Sequence, residues 1–362
     1  MKIALSGYYG FDNAGDEALL LAISSSIKRL APDSEFVVFS GCPAQTMRLH
    51  KMRAVHYMHP CSLIHELRTS DLLISGGGSI FQDVTSSRSL LYYISVVALA
   101  RLLRKPVVFY AQGIGPINRP FNRWLLGKVA NRVNLITLRD EASRDFLHRI
   151  GVCRPPLQVT ADPVFSLQSE KAIAETLKQF PLFGNKQAKI MGVSVRQWAA
   201  LDGYQQELAR VLDYWHEQDF EILFIPMDYP DDIHESKRVI SYMQQPAHLL
   251  EQNLSTAEHL ALISQLDLML GMRLHALIFA ASCGVPFVGI SYDPKIDAFL
   301  DLFSLTSLSV SSATMIEEIQ SLLQNEQGQK EMRQISLKMR EQSEANAHLA
   351  LQVVEEYRKS RF

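Results

Sequence analysis

The sequence predicts an α/β protein of two domains, each a parallel sheet with helices on both faces. Three observations predict it. Short apolar runs alternate with longer helical patterns from the first residues onward, as in strands joined by crossover helices. The rhythm pauses between Asp162 and Lys186, where Asp162-Pro163, Pro181 and Gly184-Asn185 fall, and then resumes. At 362 residues the chain is too long for one ordinary compact domain and suits two.

In the first half the apolar runs predict strands over Lys2–Ser6, Glu35–Phe39, Asp71–Ser75, Pro106–Ala111, Leu135–Leu138 and Gln158–Thr160. Helical periodicity is clearest over Glu17–Arg29, Leu90–Arg104 and Phe121–Asn131. The second series has strands at Lys189–Val195, Glu221–Pro226, Leu268–Leu270 and Pro286–Ile290, with helices at Tyr204–Gln218 and Leu274–Cys283. The charged, amphipathic tail from Thr314 to Arg361 predicts two helices closing the second domain. The expected division is a Rossmann-like domain over 1–165, a connection over 166–187 and a second Rossmann-like domain over 188–362. Two such halves facing a cleft describe a GT-B-like architecture, with ligands beyond the carboxyl ends of the strands.

About half of the residues are apolar and a fifth charged, enough to bury sizeable cores. A net charge of −2 argues against nucleic acid as a partner. Charge is uneven, however: eleven Lys/Arg lie between Arg101 and Arg154, against Asp140, Glu141 and Asp145 alone. That stretch should attract anions, either substrate phosphates or acidic headgroups. Cys42, Cys61, Cys153 and Cys283 form no CxxC pair, which fits a reducing compartment. The chain enters a strand at once, with no signal-peptide pattern. Its longest apolar run, Leu90 to Leu103, is interrupted by Ser95 and Arg101 and falls short of the roughly 20 residues of a membrane span. A soluble, cytoplasmic protein is expected.

Chemistry-bearing residues gather at strand ends. The first strand runs into Gly7-Tyr8-Tyr9-Gly10-Phe11-Asp12-Asn13-Ala14-Gly15-Asp16-Glu17, a Gly-rich turn before a helix, where free N–H groups suit an anion or a sugar. Asp16 and Glu17 either cap that helix or line a ligand site. Gly76-Gly77-Gly78-Ser79 follows a buried strand and implies a close approach by a ligand or by backbone. The polar segment Gln82–Ser89, with Arg88, has the composition of a lid. Arg139 ends another strand, and its planar fork suits a carboxylate or phosphate; the structural alternative is a contact with Asp140 or Ser143. In the second half Arg196 ends a strand beside Trp198, Gly271-Met272-Arg273-Leu274-His275-Ala276 opens a helix, and Ser291-Tyr292-Asp293-Pro294-Lys295 follows the last strand. His56, His59, Cys61 and His65 match no standard zinc spacing and are interrupted by Pro60, so no metal or cofactor is expected.

Taken in order, Asn13-Ala14-Gly15-Asp16-Glu17, Gly76-Gly77-Gly78, Gln112-Gly113-Ile114-Gly115-Pro116, Arg139-Asp140, Asp162-Pro163 and Met272-Arg273-Leu274-His275-Ala276 resemble the polysaccharide pyruvyl transferases, from Met1 to about Lys295. Within that family the chain looks most like enzymes that pyruvylate N-acetylmannosamine in secondary cell wall polymers, where the 4,6-ketal serves surface-layer protein anchoring. The resemblance implies phosphoenolpyruvate as donor, a lipid-linked glycan as acceptor and no metal. It implies a catalytic set of His275, Arg273, Lys295 and Asp16, with His275 as acid/base. Substrate would meet Arg139, Arg88, Gly15, Gly77, Gly78, Arg196, Leu274 and Glu17. A lipid-linked acceptor also implies peripheral membrane contact. Pro120–Lys128, with Arg123, Trp124 and Lys128, has the composition of an interfacial helix, although Trp124 and Leu125 equally suit a core. The rival enzymes are a glycosyltransferase or nucleotide-sugar epimerase of the same architecture. The non-catalytic rival is a glycan or lipid-carrier binding protein, which would not need Arg139, Arg273, His275 and Lys295 together at strand ends.

Overall fold

A computed structural model describes residues 1–84, 86–169, 182, 189–198, 203–308 and 310–360. The chain divides into two compact units, one of Met1–Ser166 with Met339–Phe362, the other of Leu167–Lys338. The expected connection over 166–187, with Pro181 and Gly184-Asn185, lies largely outside the described residues.

The first unit contains β1 (Lys2–Tyr9), β2 (Glu35–Ser40), β3 (Arg53–His56), β4 (Leu72–Gly76), β5 (Val107–Gln112), β6 (Leu135–Leu138) and β7 (Leu157–Val159). They form one parallel sheet in the order β3-β2-β1-β4-β5-β6-β7. The connecting helices are α1 (Ala14–Leu30), α2 (Pro43–His50), α3 (Pro60–Thr69), α4 (Ser87–Leu102), α5 (Pro120–Ala130) and α6 (Glu141–Arg149). Because side chains alternate along a strand, each strand feeds two cores. Ala4, Val37, Phe39, Leu73, Val107, Phe109 and Ile136 pack with α3, α4 and α5. Ile3, Leu5, Val38, Leu72, Ile74, Val108 and Tyr110 pack with α1 on the other face.

Local chemistry explains where these elements begin. Asn13 Oδ1 accepts the amides of Gly15 and Asp16 at 3.1 and 3.2 Å, so α1 starts three residues before the expected Glu17. Three elements between β2 and β4, namely α2, β3 and α3, escaped the sequence reading. The histidine run there shapes turns: His59 caps α3 by accepting the Ser62 amide, and His56 Nδ1 accepts the Met58 amide. Among the described residues no three His, Cys, Asp or Glu side chains are grouped to hold a metal ion.

Glu66 fastens α3 to the sheet. It is buried and accepts Lys2 Nζ at 2.7 Å and Arg53 Nη2 at 2.6 Å. Burial opposes its charge, but Lys2 and Arg53 outweigh it and hold the carboxyl below its usual range. A depressed folded pKa contributes stability that is present above about pH 4.3 and is lost as pH falls toward the folded value. Glu66→Gln should therefore unfold at a lower denaturant concentration at pH 7 and show a shallower stability loss below about pH 4.5. Identical wild-type and variant pH dependences would refute this role.

The second unit repeats the plan with β8 (Lys189–Ser194), β9 (Phe220–Phe224), β10 (His248–Leu249), β11 (Leu268–Gly271) and β12 (Phe287–Gly289), in the parallel order β10-β9-β8-β11-β12. Its described helices are α7 (Tyr204–His216), α8 (Asp231–Ile240), α9 (Thr256–Ile263), α10 (Leu274–Cys283), α11 (Pro294–Asp301) and α12 (Ser312–Gln324). Both sheets thus have Rossmann-like order, reversing between β1 and β4 and between β8 and β11.

The tail corrects the expected division. Its second helix, α13 (Glu326–Lys359), does not serve the second unit alone. Ala347, Ala350, Val353 and Val354 join the first unit's core on the α1 side. Asn346 Oδ1 accepts Thr160 Oγ1 at 2.9 Å, and Ser343 Oγ donates to the Pro163 carbonyl at 3.2 Å. That face of a parallel sheet must be covered, and this stretch of small and branched side chains covers it. Among the described residues no helix is long and apolar enough to cross a membrane.

Candidate functional site

In open α/β sheets ligands bind beyond the carboxyl ends of the strands where strand order reverses. In the second unit that point lies after β8 and β11. The backbone there is fixed beyond the strands: the Met272 amide donates to Ser194 O at 2.7 Å and the Ile290 amide to Gly271 O at 3.1 Å. Gly271 makes the close turn into α10 possible, since a Cβ would sit 2.7 Å from Leu277 Cδ2.

Arg273 precedes α10 and is nearly buried. Its Nε donates to Asp232 Oδ2 at 2.9 Å and its Nη2 to Asp228 Oδ2 at 3.1 Å. Asp232 also accepts the amides of Met227 and Asp228, both at 3.1 Å. The guanidinium therefore ties the start of α10 to α8 and to the turn before it. Burial works against its charge, and Asp232, Asp228 and Tyr292 more than restore it, raising its pKa above the ordinary value. Arg273, expected in the catalytic set, has Nε and Nη2 of its fork engaged by Asp232 and Asp228.

Arg196 has different company. Its Nη1 donates to Tyr292 Oη at 3.0 Å. Its guanidinium carbon lies 5.5 Å from the Trp198 ring and 5.3 Å from the Tyr292 ring, and the two rings are 4.8 Å apart. Lys295 Nζ approaches the same Tyr292 ring at 6.0 Å and pairs with Asp293 Oδ2 at 3.2 Å. Asp293 caps α11 through the Lys295 amide at 3.1 Å. Tyr292 thus gathers Arg196 and Lys295 around one ring. Sequence reasoning quoted Tyr292 but gave it no role; an aromatic residue between a strand end and a capping Asp was the available signal. Tyr204 donates to Glu235 Oε1 at 2.5 Å with its Oη 3.1 Å from Arg196 O, and burial pushes its phenol up.

Leu274 and His275 open α10 directly after Arg273. Leu274 is buried and His275 half-buried. Arg273 provides no side-chain cap to this helix, and the aligned peptide dipoles place partial positive charge at its start. Cations, an aromatic pair, an imidazole and a helix N-terminus thus belong to one switch point. This donor set suits a small polyanion.

In the first unit the switch point joins α1 to the loop after β4. Gly77 and Gly78 have φ of +53° and +71°, and a Cβ on Gly78 would lie 3.2 Å from Asp16 Oδ1. Asp16 therefore stands beside the glycine loop, next to Gly15 in the capped first turn. Glu17 is engaged in the fold: its carboxylate accepts the Gly10 amide at 2.7 Å and lies 2.6 Å from His50 Nε2. Arg139 is buried, with Nη2 donating to Ser79 Oγ at 2.7 Å and Nη1 to Asp162 Oδ2 at 3.4 Å, while Nε lies 3.6 Å from Asp140. Gly113 leaves room for this fork, since a Cβ there would come within 2.8 Å of it. The Asp140 contact weighed from sequence is present. Ser143 instead accepts the Ile114 amide at 2.8 Å. Arg88 is exposed in the first turn of α4. The segment expected as a lid is anchored through Asp83, which accepts the Asn118 and Arg119 amides at 2.6 and 3.0 Å and Asn122 Nδ2 at 2.8 Å.

Comparison with known proteins agrees with the motifs. The family model described as polysaccharide pyruvyl transferase matches residues 13–294. The amylovoran biosynthesis protein AmsJ of Erwinia amylovora is 23% identical over 282 residues, covering 72% of this chain and 67% of AmsJ. The UDP-GlcNAc 2-epimerase of Neisseria meningitidis, solved with UDP-GlcNAc, superposes with a TM-score of 0.69 at 14% identity over 97% of this chain and all of that one. HepE of Anabaena, solved with UDP-glucose, gives 0.60 at 14% identity over 99% of each chain. At such identities these structures speak to the fold alone, two Rossmann-like domains of GT-B type.

Proposed function

Since the chain belongs to the polysaccharide pyruvyl transferase family, we propose that it transfers the pyruvyl group of phosphoenolpyruvate to a glycan precursor as a cyclic ketal. The observation that carries the donor assignment is the grouping of Arg196 and Lys295 on Tyr292, at the switch point that also holds the start of α10. Phosphoenolpyruvate presents a phosphate and a carboxylate on a small frame, and two cations beside a helix N-terminus meet that pattern. Arg273 holds the loops beside it through Asp232 and Asp228.

The reaction needs one acid and one base. His275 donates a proton to the methylene carbon, leaving an oxocarbenium-like centre at the adjacent carbon. An acceptor hydroxyl oxygen bonds to that centre and releases its proton, for which Asp16 is the candidate base. Phosphate departs with the C–O bonding pair, and the second hydroxyl closes the ketal, releasing its own proton. One phosphoenolpyruvate and one diol yield one ketal and one phosphate. The acceptor we propose is a lipid-linked secondary cell wall polymer precursor containing N-acetylmannosamine, with the ketal at its 4 and 6 positions and the enzyme in the cytoplasm.

Calorimetric titration tests the donor. Phosphoenolpyruvate should give a saturable heat that is weakened about tenfold or more in Arg196→Ala, a loss of the size expected for one charge-assisted contact. Saturable binding of UDP-N-acetylglucosamine with none of phosphoenolpyruvate would favour a nucleotide-sugar enzyme and overturn the proposal.

A further inference from the structure

Positions 84 to 139 contain no Asp or Glu, while the same stretch carries nine Lys and Arg. It spans α4, β5, α5 and β6, so these elements carry no acids of their own. Apolar groups lie on them in the open. Phe121 is 60% exposed, Trp124 is 56% exposed, and their rings are 5.9 Å apart. Trp124 is therefore not the core residue its helix position allowed. Phe121, Trp124 and Lys128 stand at i, i+3 and i+7, one stripe of α5, with Arg123 exposed beside them.

The stripe continues onto its neighbours. Asn122 Nδ2 donates to Asp83 and lies 3.4 Å from Ser87 Oγ, which brings Val84 and the first turns of α4 against the start of α5. Val84 and Leu91 are exposed there, as are Arg88 and Arg119. Asp83 borders the patch, with its carboxylate taken up by Asn118, Arg119 and Asn122. The nearest acids of the following helix, Glu141 and Asp145, face Arg144. Aromatic and aliphatic side chains ringed by cations match an interface with acyl chains below and anionic headgroups around.

We propose that the exposed face of α4 and α5, led by Phe121 and Trp124, docks the protein on an anionic lipid surface. The charge argues for lipid over a second copy of the chain, because a two-fold contact through this face would oppose its own cations. The helices following β4 and β5 start at the carboxyl edge of the sheet, so the docking face borders the edge where this unit would bind ligands. Docking makes no use of the transferase chemistry and stands or falls separately from it.

Co-sedimentation with vesicles tests the assignment. The protein should pellet with phosphatidylcholine vesicles containing phosphatidylglycerol at low salt, less at high salt, and little with phosphatidylcholine alone. Arg123→Glu/Lys128→Glu should weaken binding at least tenfold, since each cation near an anionic leaflet changes partition by about fivefold. Trp124→Ala should weaken it while leaving the melting temperature unchanged, as expected for a side chain in solvent. Three results would overturn the proposal. One is wild-type protein in the supernatant with acidic vesicles at low salt. Another is equal pelleting of all three proteins. The third is a concentration-dependent dimer, abolished by Trp124→Ala, without vesicle binding, which would assign the face to self-association.

Discussion

His275→Ala is expected to lower turnover by about two to four orders of magnitude, the usual yield of general acid–base catalysis by a positioned side chain. His275 sits in the first turn of α10, two residues after Arg273 and beside the strand ends that carry Arg196 and Tyr292. Protonating the methylene carbon of phosphoenolpyruvate is the step that no cation on this site can perform, because guanidinium and ammonium groups hold their protons too tightly at neutral pH. Alanine is the best helix former, so α10 should still form and the circular dichroism spectrum should match wild type. Donor affinity by calorimetry should change little. A folded His275→Ala enzyme with near-normal turnover would remove His275 from the chemistry.

Arg273→Ala should chiefly unfold the second unit. It leaves Asp232 buried with an uncompensated charge, and breaking a buried pair from one side typically costs about 3–5 kcal/mol. The loss should appear as a large drop in the denaturant midpoint. Arg273→Ala/Asp232→Asn should recover part of it, since the stranded charge is then gone. Arg196→Ala should behave in the opposite way: its guanidinium is half-buried against Trp198 and Tyr292, so stability should fall little and the KM for phosphoenolpyruvate should rise. If Arg273→Ala keeps its stability and loses only donor affinity, Arg273 is a substrate ligand after all.

The parallel sheets were legible because strands buried on both faces read as continuous apolar runs, as in Leu72–Gly76 and Val107–Gln112. The edge strands β3 and β10 were not. β3 (Arg53–His56) exposes half its side chains and carries Arg53, and β10 is two residues long, so neither produces an apolar run. The tail announced an apolar stripe, which shows that a helix must be covered but not by which sheet. The same limit applied to the site. Cations at strand ends could be read from the order of motifs; their partners could not. Arg273 meets Asp232 across 41 positions, and Arg196 meets Tyr292 across 96. Such pairings come from tertiary packing, and they separate the cations that hold the frame from those turned to a ligand.

The central claim is that phosphoenolpyruvate is the donor and a glycan diol the acceptor. The most direct measurement follows phosphate release and acceptor mass together, with the protein, phosphoenolpyruvate and a lipid-linked precursor bearing N-acetylmannosamine. The account predicts phosphate only when both substrates are present, and an acceptor heavier by one ketal-linked pyruvate for each phosphate released. Consumption of a nucleotide sugar as donor, with phosphoenolpyruvate untouched and no ketal on the acceptor, would contradict it.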